Sequence, residues 1–132
     1  MSARAHLRVA IVDDNRQFGE ALSVLLELEP DVKVVALLED GEAALEHAAD
    51  EGADVYLVDF RLPDMNGAET TAAILERRPT TRVIALSAAA APPDVDAVRA
   101  AGAVTCLSKD RDLDALVATI RGTPAPAASA EA

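Results

Sequence analysis

The sequence lacks the residues on which several common classes of function depend. Cys106 is its only cysteine, which excludes a disulfide framework and a cysteine-based metal site. The two histidines, His6 and His47, stand far apart in the chain and form no zinc-binding motif. Aromatic residues make up only 2% of the chain, too few for a surface on which single-stranded nucleic acid could stack.

Positive charge is also scarce. Twelve lysines and arginines stand against 23 aspartates and glutamates, for a formal net charge of −11. Direct nucleic-acid binding by this chain is therefore not expected, since it requires clustered basic residues. No apolar run has the length of a membrane span, and residues 1–8 are too short and too mixed for a signal peptide. We expect a cytoplasmic protein that does not contact membranes.

What the sequence does contain is a regular alternation of two patterns. Its 132 residues correspond to about one domain, and 51% of them are apolar, enough for a core. Short, almost continuously apolar runs are typical of strands buried on both faces, and they occupy residues 7–12, 32–38, 55–58, 82–86 and 103–107. Helical patterns follow each run. The sequence therefore predicts an α/β fold with a five-stranded parallel sheet and helices on both faces.

The helical segments carry apolar positions at helical spacing. The predicted buried faces are Phe18, Leu22, Leu25 and Leu26; Ala44, Leu45 and Ala48; Ala68, Ala72 and Leu75; and Leu113, Leu116, Val117 and Ile120. Asn66 with Glu69 three positions later predicts a capping box. From Gly122 the chain is rich in alanine and proline, so we predict a domain over residues 1–121 and a linker or loose tail over 122–132.

Polar residues stand where the predicted strands end. They are Asp13 and Asp14, Asp59, Ser87 and Lys109. In a parallel sheet these ends share one edge, so we expect three carboxylates, a hydroxyl and an ammonium to meet there. Two unit charges 4 Å apart interact by about 4 kcal/mol at an effective dielectric of about 20, so the acids require a counter-charge. Mg²⁺ suits such oxygen ligands, and the set favours phosphoryl transfer to the Asp59 carboxylate.

Four segments carry a family resemblance: Val12–Asp14, Val58–Gly67, Leu86–Ala88, and Ala101–Ala103 together with Lys109. Together they resemble a response-regulator receiver domain of two-component signalling, a CheY-like domain, over about residues 7–121. The turn after Asp59 is most similar to that of the NarL/FixJ (LuxR-type) regulators. The resemblance implies a flavodoxin-like sheet with strand order 2-1-3-4-5.

The resemblance also implies a metal site. Asp59 would accept the phosphoryl group. Asp14 would bind Mg²⁺ directly and Asp13 mainly through water. Asp59 and the backbone carbonyl of Arg61 would complete the protein ligands.

Phosphoryl recognition and switching are implied at four further positions. The Ser87 hydroxyl and the Ala88 amide would bind the phosphoryl oxygens, and Lys109 would bridge phosphate and carboxylate. The family usually has Tyr or Phe three residues before the lysine, where this chain has Cys106. We hypothesise that the small thiol lets the fourth helix shift without the usual aromatic rotamer change.

The implied function is a signalling switch that receives its phosphoryl group from a sensor histidine kinase. Such a domain catalyses only its own phosphorylation and dephosphorylation, so we do not expect a turnover enzyme. Its output would be a homodimer or a C-terminal DNA-binding domain outside this chain that regulates transcription. The alternative is a phosphorylation-independent interaction module, which Cys106 and the alanine-rich segment after Ser87 favour. A haloacid-dehalogenase-like phosphatase is disfavoured because it needs Asp-x-Asp, whereas Asp13 and Asp14 are adjacent.

Overall fold

The computed structural model describes residues 6–110 and 113–122. Strands and helices alternate along them. The strands are β1 (Leu7–Val12), β2 (Val32–Leu38), β3 (Val55–Asp59), β4 (Arg82–Ser87) and β5 (Thr105–Ser108). The helices are α1 (Arg16–Leu26), α2 (Gly41–Asp50), α3 (Gly67–Arg77), α4 (Pro92–Ala100) and α5 (Leu113–Arg121). In these residues no helix is both long and apolar enough to cross a bilayer.

The five strands form one parallel sheet in the order β2-β1-β3-β4-β5, which confirms the predicted fold. The register decides which strand ends become neighbours. Val12 pairs with Val58, so the residues that follow, Asp13 and Asp59, lie side by side. Ser87 pairs with Ser108, which brings Lys109 to the same edge.

Helices cover both faces of the sheet, as the buried apolar runs require. One layer packs α2, α3 and α4 against alternate strand residues such as Val12 and Val58. The other packs α1 and α5 against the intervening residues such as Ile11 and Leu57. Each fully buried branched aliphatic side chain contributes about 1.5–3 kcal/mol of hydrophobic stabilisation. The two layers therefore hold the strands, and the edge they form, in a fixed register.

The helix N-termini begin where side-chain caps are available. Asn15 caps α1 by accepting from the Phe18 amide, and Asp40 caps α2 by accepting from the Ala43 amide. The predicted capping box at α3 is confirmed: Asn66 and Glu69 each accept from the other's backbone N–H. The start of α5 adjoins residues 111–112, which lie outside the described residues, as do residues 123–132 of the predicted tail.

Some predicted details were wrong. β3 and β4 each extend one residue further, to Asp59 and Ser87, because polar end residues still pair in the sheet. Ala72 is exposed, and α3 instead buries Thr70 and Thr71. Thr70 can be buried because its hydroxyl donates to the Asn66 carbonyl at 2.8 Å, leaving its methyl group to pack.

Leu25 was also predicted to be buried but is 43% exposed. It lies on α1 beside a cleft of about 150 Å³ between α1 and α5. The neighbouring positions Leu22 and Leu26 are the ones that this helix buries. The helical period therefore identified the correct helix but assigned it too wide a buried face.

The capping box yields a stability prediction. Asn66→Ala removes the acceptor of the Glu69 amide, so we expect the free energy of unfolding to fall by about 1 kcal/mol. Urea denaturation followed by circular dichroism measures this. Glu76→Gln, an exposed change on the same helix, is the control and should have an effect below about 0.5 kcal/mol. Equal stability of the two variants would contradict the role of the cap.

Candidate functional site

Three aspartates lie together at the carboxyl edge of the sheet. One carboxylate oxygen each from Asp13, Asp14 and Asp59 lies within 4.8 Å of the others. Asp13 and Asp59 are only 5% and 9% exposed, whereas Asp14 lies open to solvent. The predicted carboxylate cluster is therefore brought together by the fold.

Lys109 supplies the positive charge of this cluster. Its Nζ lies 2.7 Å from Asp13 Oδ2 and 3.4 Å from Asp59 Oδ2. Its backbone N–H donates to the Ser87 carbonyl at 2.8 Å, which fixes where the side chain begins. The Phe18 ring lies 4.5 Å from the ammonium, a cation–π contact that sequence patterns did not reveal. Phe18 was identified there only as part of an apolar helical face.

The charges in the cluster do not balance. Burial, and then the Asp13 charge, raise the pKa of Asp59, although the Arg61 amide and Lys109 oppose that rise. Burial opposes the charged form of Lys109, but the Asp13 and Asp59 carboxylates outweigh it and raise the pKa of Lys109. The neighbouring carboxylates contribute to both shifts, and three carboxylates against one ammonium leave an excess of negative charge. Three oxygen donors with such an excess fit a hard divalent cation such as Mg²⁺.

The loop after β3 is folded back tightly beside the acids. The Arg61 amide donates to Asp59 Oδ1 at 3.3 Å, and the Gly67 amide donates to the Phe60 carbonyl at 2.6 Å. A Cβ at position 67 would lie 2.9 Å from the Phe60 Cα, so only glycine allows this approach. The Arg61 carbonyl, the predicted fourth ligand, belongs to this turn.

Ser87 is tied to its own loop. Its Oγ accepts from the Ala89 amide at 3.2 Å and from the Ala90 amide at 3.1 Å. Both lone pairs are thus used, and the hydroxyl proton remains free to donate. Ala90 has a φ of 52°, in the left-handed region, which costs an alanine about 1 kcal/mol. The loop after β4 is therefore held under backbone strain by the Ser87 hydroxyl.

A cleft of about 320 Å³ opens beside the acids and Lys109. It is lined by Asp59, Phe60, Arg61, Ser87, Ala88, Ala89, Asp94 and Lys109. The predicted residues Ser87 and Ala88 thus face the same space as Asp59. Asp94, near the start of α4, also lines this cleft, and no local sequence pattern places the start of α4 there.

Cys106 lies apart from the cleft. The side chain is 4% exposed and packs in the layer that contains Val98 of α4. Burial, followed by the Asp94 charge, raises the pKa of its thiol, so the unreactive thiol form is favoured. This environment suits a small apolar core residue better than a redox centre.

Comparison with known proteins identifies the family. A model of the response regulator receiver domain matches residues 9–121. The chain belongs to that family. Among curated relatives, the transcriptional regulatory protein DegU of Brevibacillus brevis is 36% identical over 115 residues, which cover 87% of this chain and 49% of the relative. A protein-glutamate methylesterase/protein-glutamine glutaminase of Syntrophus aciditrophicus is 39% identical over 106 residues, which cover 78% of this chain and 30% of the relative.

Solved structures agree with this assignment. The signal receiver domain of the response regulator NarL from Mycobacterium tuberculosis superimposes with a TM-score of 0.81 at 34% identity. The match covers 90% of this chain and 99% of that one. With DegU, it confirms the expected similarity to NarL-type regulators. The matched part of this chain spans about half the length of DegU and about a third of the length of the methylesterase.

The raised pKa of Asp59 gives a prediction for metal-free buffer. A carboxyl whose pKa is higher in the folded state destabilises the fold once it ionises, so stability falls as pH rises through that range. Asp59→Asn should therefore raise the free energy of unfolding at pH 7, and the gain should shrink as pH falls toward about 4.

Asp54→Asn is the matched control, measured by the same urea denaturation. Asp54 is exposed just before β3, where its carboxylate accepts from the Arg8 amide at 2.8 Å. This control should not gain stability. A gain for Asp59→Asn that stays constant with pH, or that Asp54→Asn shares, would contradict the electrostatic origin.

Proposed function

We propose that this receiver domain is a phosphorylation-controlled switch that accepts a phosphoryl group on Asp59 in the presence of Mg²⁺. The observation that carries the proposal is the arrangement of Lys109 between Asp13 and Asp59, next to a cleft that Ser87 also lines. The Asp59 carboxylate, the Lys109 ammonium and the Ser87 hydroxyl thus face one space that is large enough for a phosphoryl group. Catalysis of phosphoryl transfer consists mainly of such positioning and charge stabilisation.

In the proposed step the Asp59 carboxylate attacks phosphorus. For a phosphohistidine donor on a sensor kinase, the P–N bond breaks as the Asp59 O–P bond forms. The imidazole leaves with the bonding electron pair and takes up a proton. Lys109 and the Ser87 hydroxyl would neutralise and orient the equatorial oxygens, with help from the Ala88 amide.

Asp13, Asp14, Asp59 and the Arg61 carbonyl would hold Mg²⁺. The bound ion would supply charge neutralisation between the carboxylate and the incoming phosphoryl oxygens. The role of this chain is to keep the donors at the end of rigid strands. Lys109 would also prevent Asp13 and Asp59 from repelling each other before the ion binds.

Phosphorylation adds a charge of roughly −1.5 to −2 at this edge. Ser87 would then turn its hydroxyl toward the phosphoryl group and release the strained loop that contains Ala90, which precedes α4. The buried Cys106, beneath α4, would accept the shift without an aromatic rotamer change. The readout would be a homodimer or a C-terminal DNA-binding domain that regulates transcription, a proposal that similarity to DegU supports.

Intact mass spectrometry tests the phosphoacceptor. After incubation with acetyl phosphate and Mg²⁺, the wild type should gain one phosphoryl group, whereas Asp59→Asn should gain none. Asp54→Asn, an exposed change just before β3, should be labelled like the wild type, and a chelator should abolish labelling. A phosphoryl group on the Asp59→Asn variant would overturn the proposal that Asp59 is the acceptor.

An unlabelled wild type would instead support the phosphorylation-independent interaction module. The observation that favours this alternative is the lack of polar side chains in the loop after Ser87, whose alanines offer only backbone groups to the cleft. Beryllofluoride, a non-covalent phosphoryl mimic, provides a second measurement. The proposed switch requires it to shift amide NMR signals in the loop that contains Ala90, and signals that do not move would contradict switching.

A further inference from the structure

We propose that Asp64 is a positioning residue: by binding the N-terminus of α2, it holds the turn that presents the Arg61 carbonyl to the metal site. The inference rests on the proposed function, because it concerns the same Mg²⁺ ligands. Asp64 Oδ1 accepts from the Gly41 amide at 2.8 Å, and Oδ2 accepts from the Glu42 amide at 3.0 Å. One carboxylate thus joins two segments 23 residues apart.

The start of α2 has more amides than its own cap can satisfy. A helix leaves its first N–H groups without partners inside the helix. The side chain of Asp40, the N-cap, accepts from the Ala43 amide at 2.8 Å. The Gly41 and Glu42 amides donate instead to Asp64. The hydrogen bond from the Gly41 N–H is the main cause that lowers the pKa of Asp64. Two carboxylates therefore cap α2, one from the helix itself and one from the turn after β3.

The same turn is closed by backbone pairing. The Leu62 amide donates to the Met65 carbonyl at 3.1 Å, and Arg61 pairs with Asn66 in an isolated antiparallel bridge. The base of the turn joins β3 on one side to α3 on the other. Its tip, where Asp64 lies, extends beyond both elements, so its position depends on what it touches.

The tip touches α2 closely. A Cβ at position 41 would lie 2.3 Å from Met65 Sδ and 3.2 Å from Asp64 Oδ1. Glycine at the first position of α2 is therefore what lets the turn approach the helix. The Asp64 hydrogen bonds and the Met65 contact act together as one attachment, which we call the turn anchor (Gly41, Glu42, Asp64 and Met65).

The turn anchor matters to the site because Arg61 lies between it and Asp59. Mg²⁺ requires near-ideal octahedral geometry, so small displacements of a carbonyl ligand weaken binding. Partners that orient the ligands of a metal typically change its affinity 10–100-fold when they are removed. Asp64 touches neither the ion nor the phosphoryl group in this account, so its effect would pass entirely through the turn.

The experiment compares Asp64→Ala with Asp40→Ala, because both remove a carboxylate that caps α2 but only Asp64 belongs to the turn. NMR titration with MgCl₂ measures the dissociation constant of each folded variant. We expect Asp64→Ala to weaken Mg²⁺ binding about tenfold and Asp40→Ala to stay within about twofold of the wild type. In metal-free buffer, amide exchange at Leu62 and Gly67 should accelerate in Asp64→Ala and not in Asp40→Ala.

Asp64→Asn is the second variant, since it keeps the side-chain size but loses the charge and one of the two acceptor oxygens. It should show a smaller weakening in the same direction. Unchanged Mg²⁺ affinity in both Asp64 variants, or equal weakening in Asp40→Ala, would overturn the positioning role while leaving the proposed function intact. Failure of the wild type itself to bind Mg²⁺ would overturn both proposals.

Discussion

Mutual repulsion among Asp13, Asp14 and Asp59 is the constraint on which the carboxyl edge of this sheet depends. Lys109 relieves part of it by contacting two of the three carboxylates. A single ammonium cannot balance three acids, and burial together with the Asp13 charge raises the pKa of Asp59 despite the contact with Lys109. At an effective dielectric of about 20, each pair of unit charges at 4 Å still interacts by about 4 kcal/mol. The remaining repulsion among the carboxylates favours the binding of a cation at this edge.

The sheet makes such crowding sustainable. Asp13 follows β1 and Asp59 is the last residue of β3, and the strand residues just before them are buried, so the backbone at either position cannot move away without unpacking both layers. Lys109 is fixed in turn through its backbone bond to Ser87. The surrounding turns are less constrained: Ala90 is held in a strained conformation, and the tip at Asp64 rests on another helix. The strands thus fix the positions of the charged groups, whereas the loops around them can change conformation when the charge at this edge changes.

Much of this edge could be predicted from local sequence. The apolar runs located all five strands, and the polar residues at the ends of four of them identified the acids, Ser87 and Lys109. This works because burial on both faces leaves a nearly unbroken apolar pattern, and because parallel strands all end at one edge. The family assignment was likewise predictable, since the landmark residues occur in order along the chain.

Contacts between loops distant in sequence could not be predicted in this way. Asp64 meets Gly41, and Asp94 reaches the cleft beside Asp59, only because of how helices pack on the sheet. Helical periodicity also misjudged Ala72, since it does not register that a threonine such as Thr70 can be buried once its hydroxyl donates to a backbone carbonyl. Periodicity reports the apolar side of an element, but not which element packs against it.

The central claim is that excess negative charge at the sheet edge is matched by a divalent cation. The most direct measurement is the free energy of unfolding as MgCl₂ is raised, with KCl at matched ionic strength in a parallel series. We expect the free energy of unfolding to rise by about 1.4 kcal/mol for each tenfold rise in Mg²⁺ above its dissociation constant, with no such gain in KCl. Identical stability in the two salts at every concentration would contradict it.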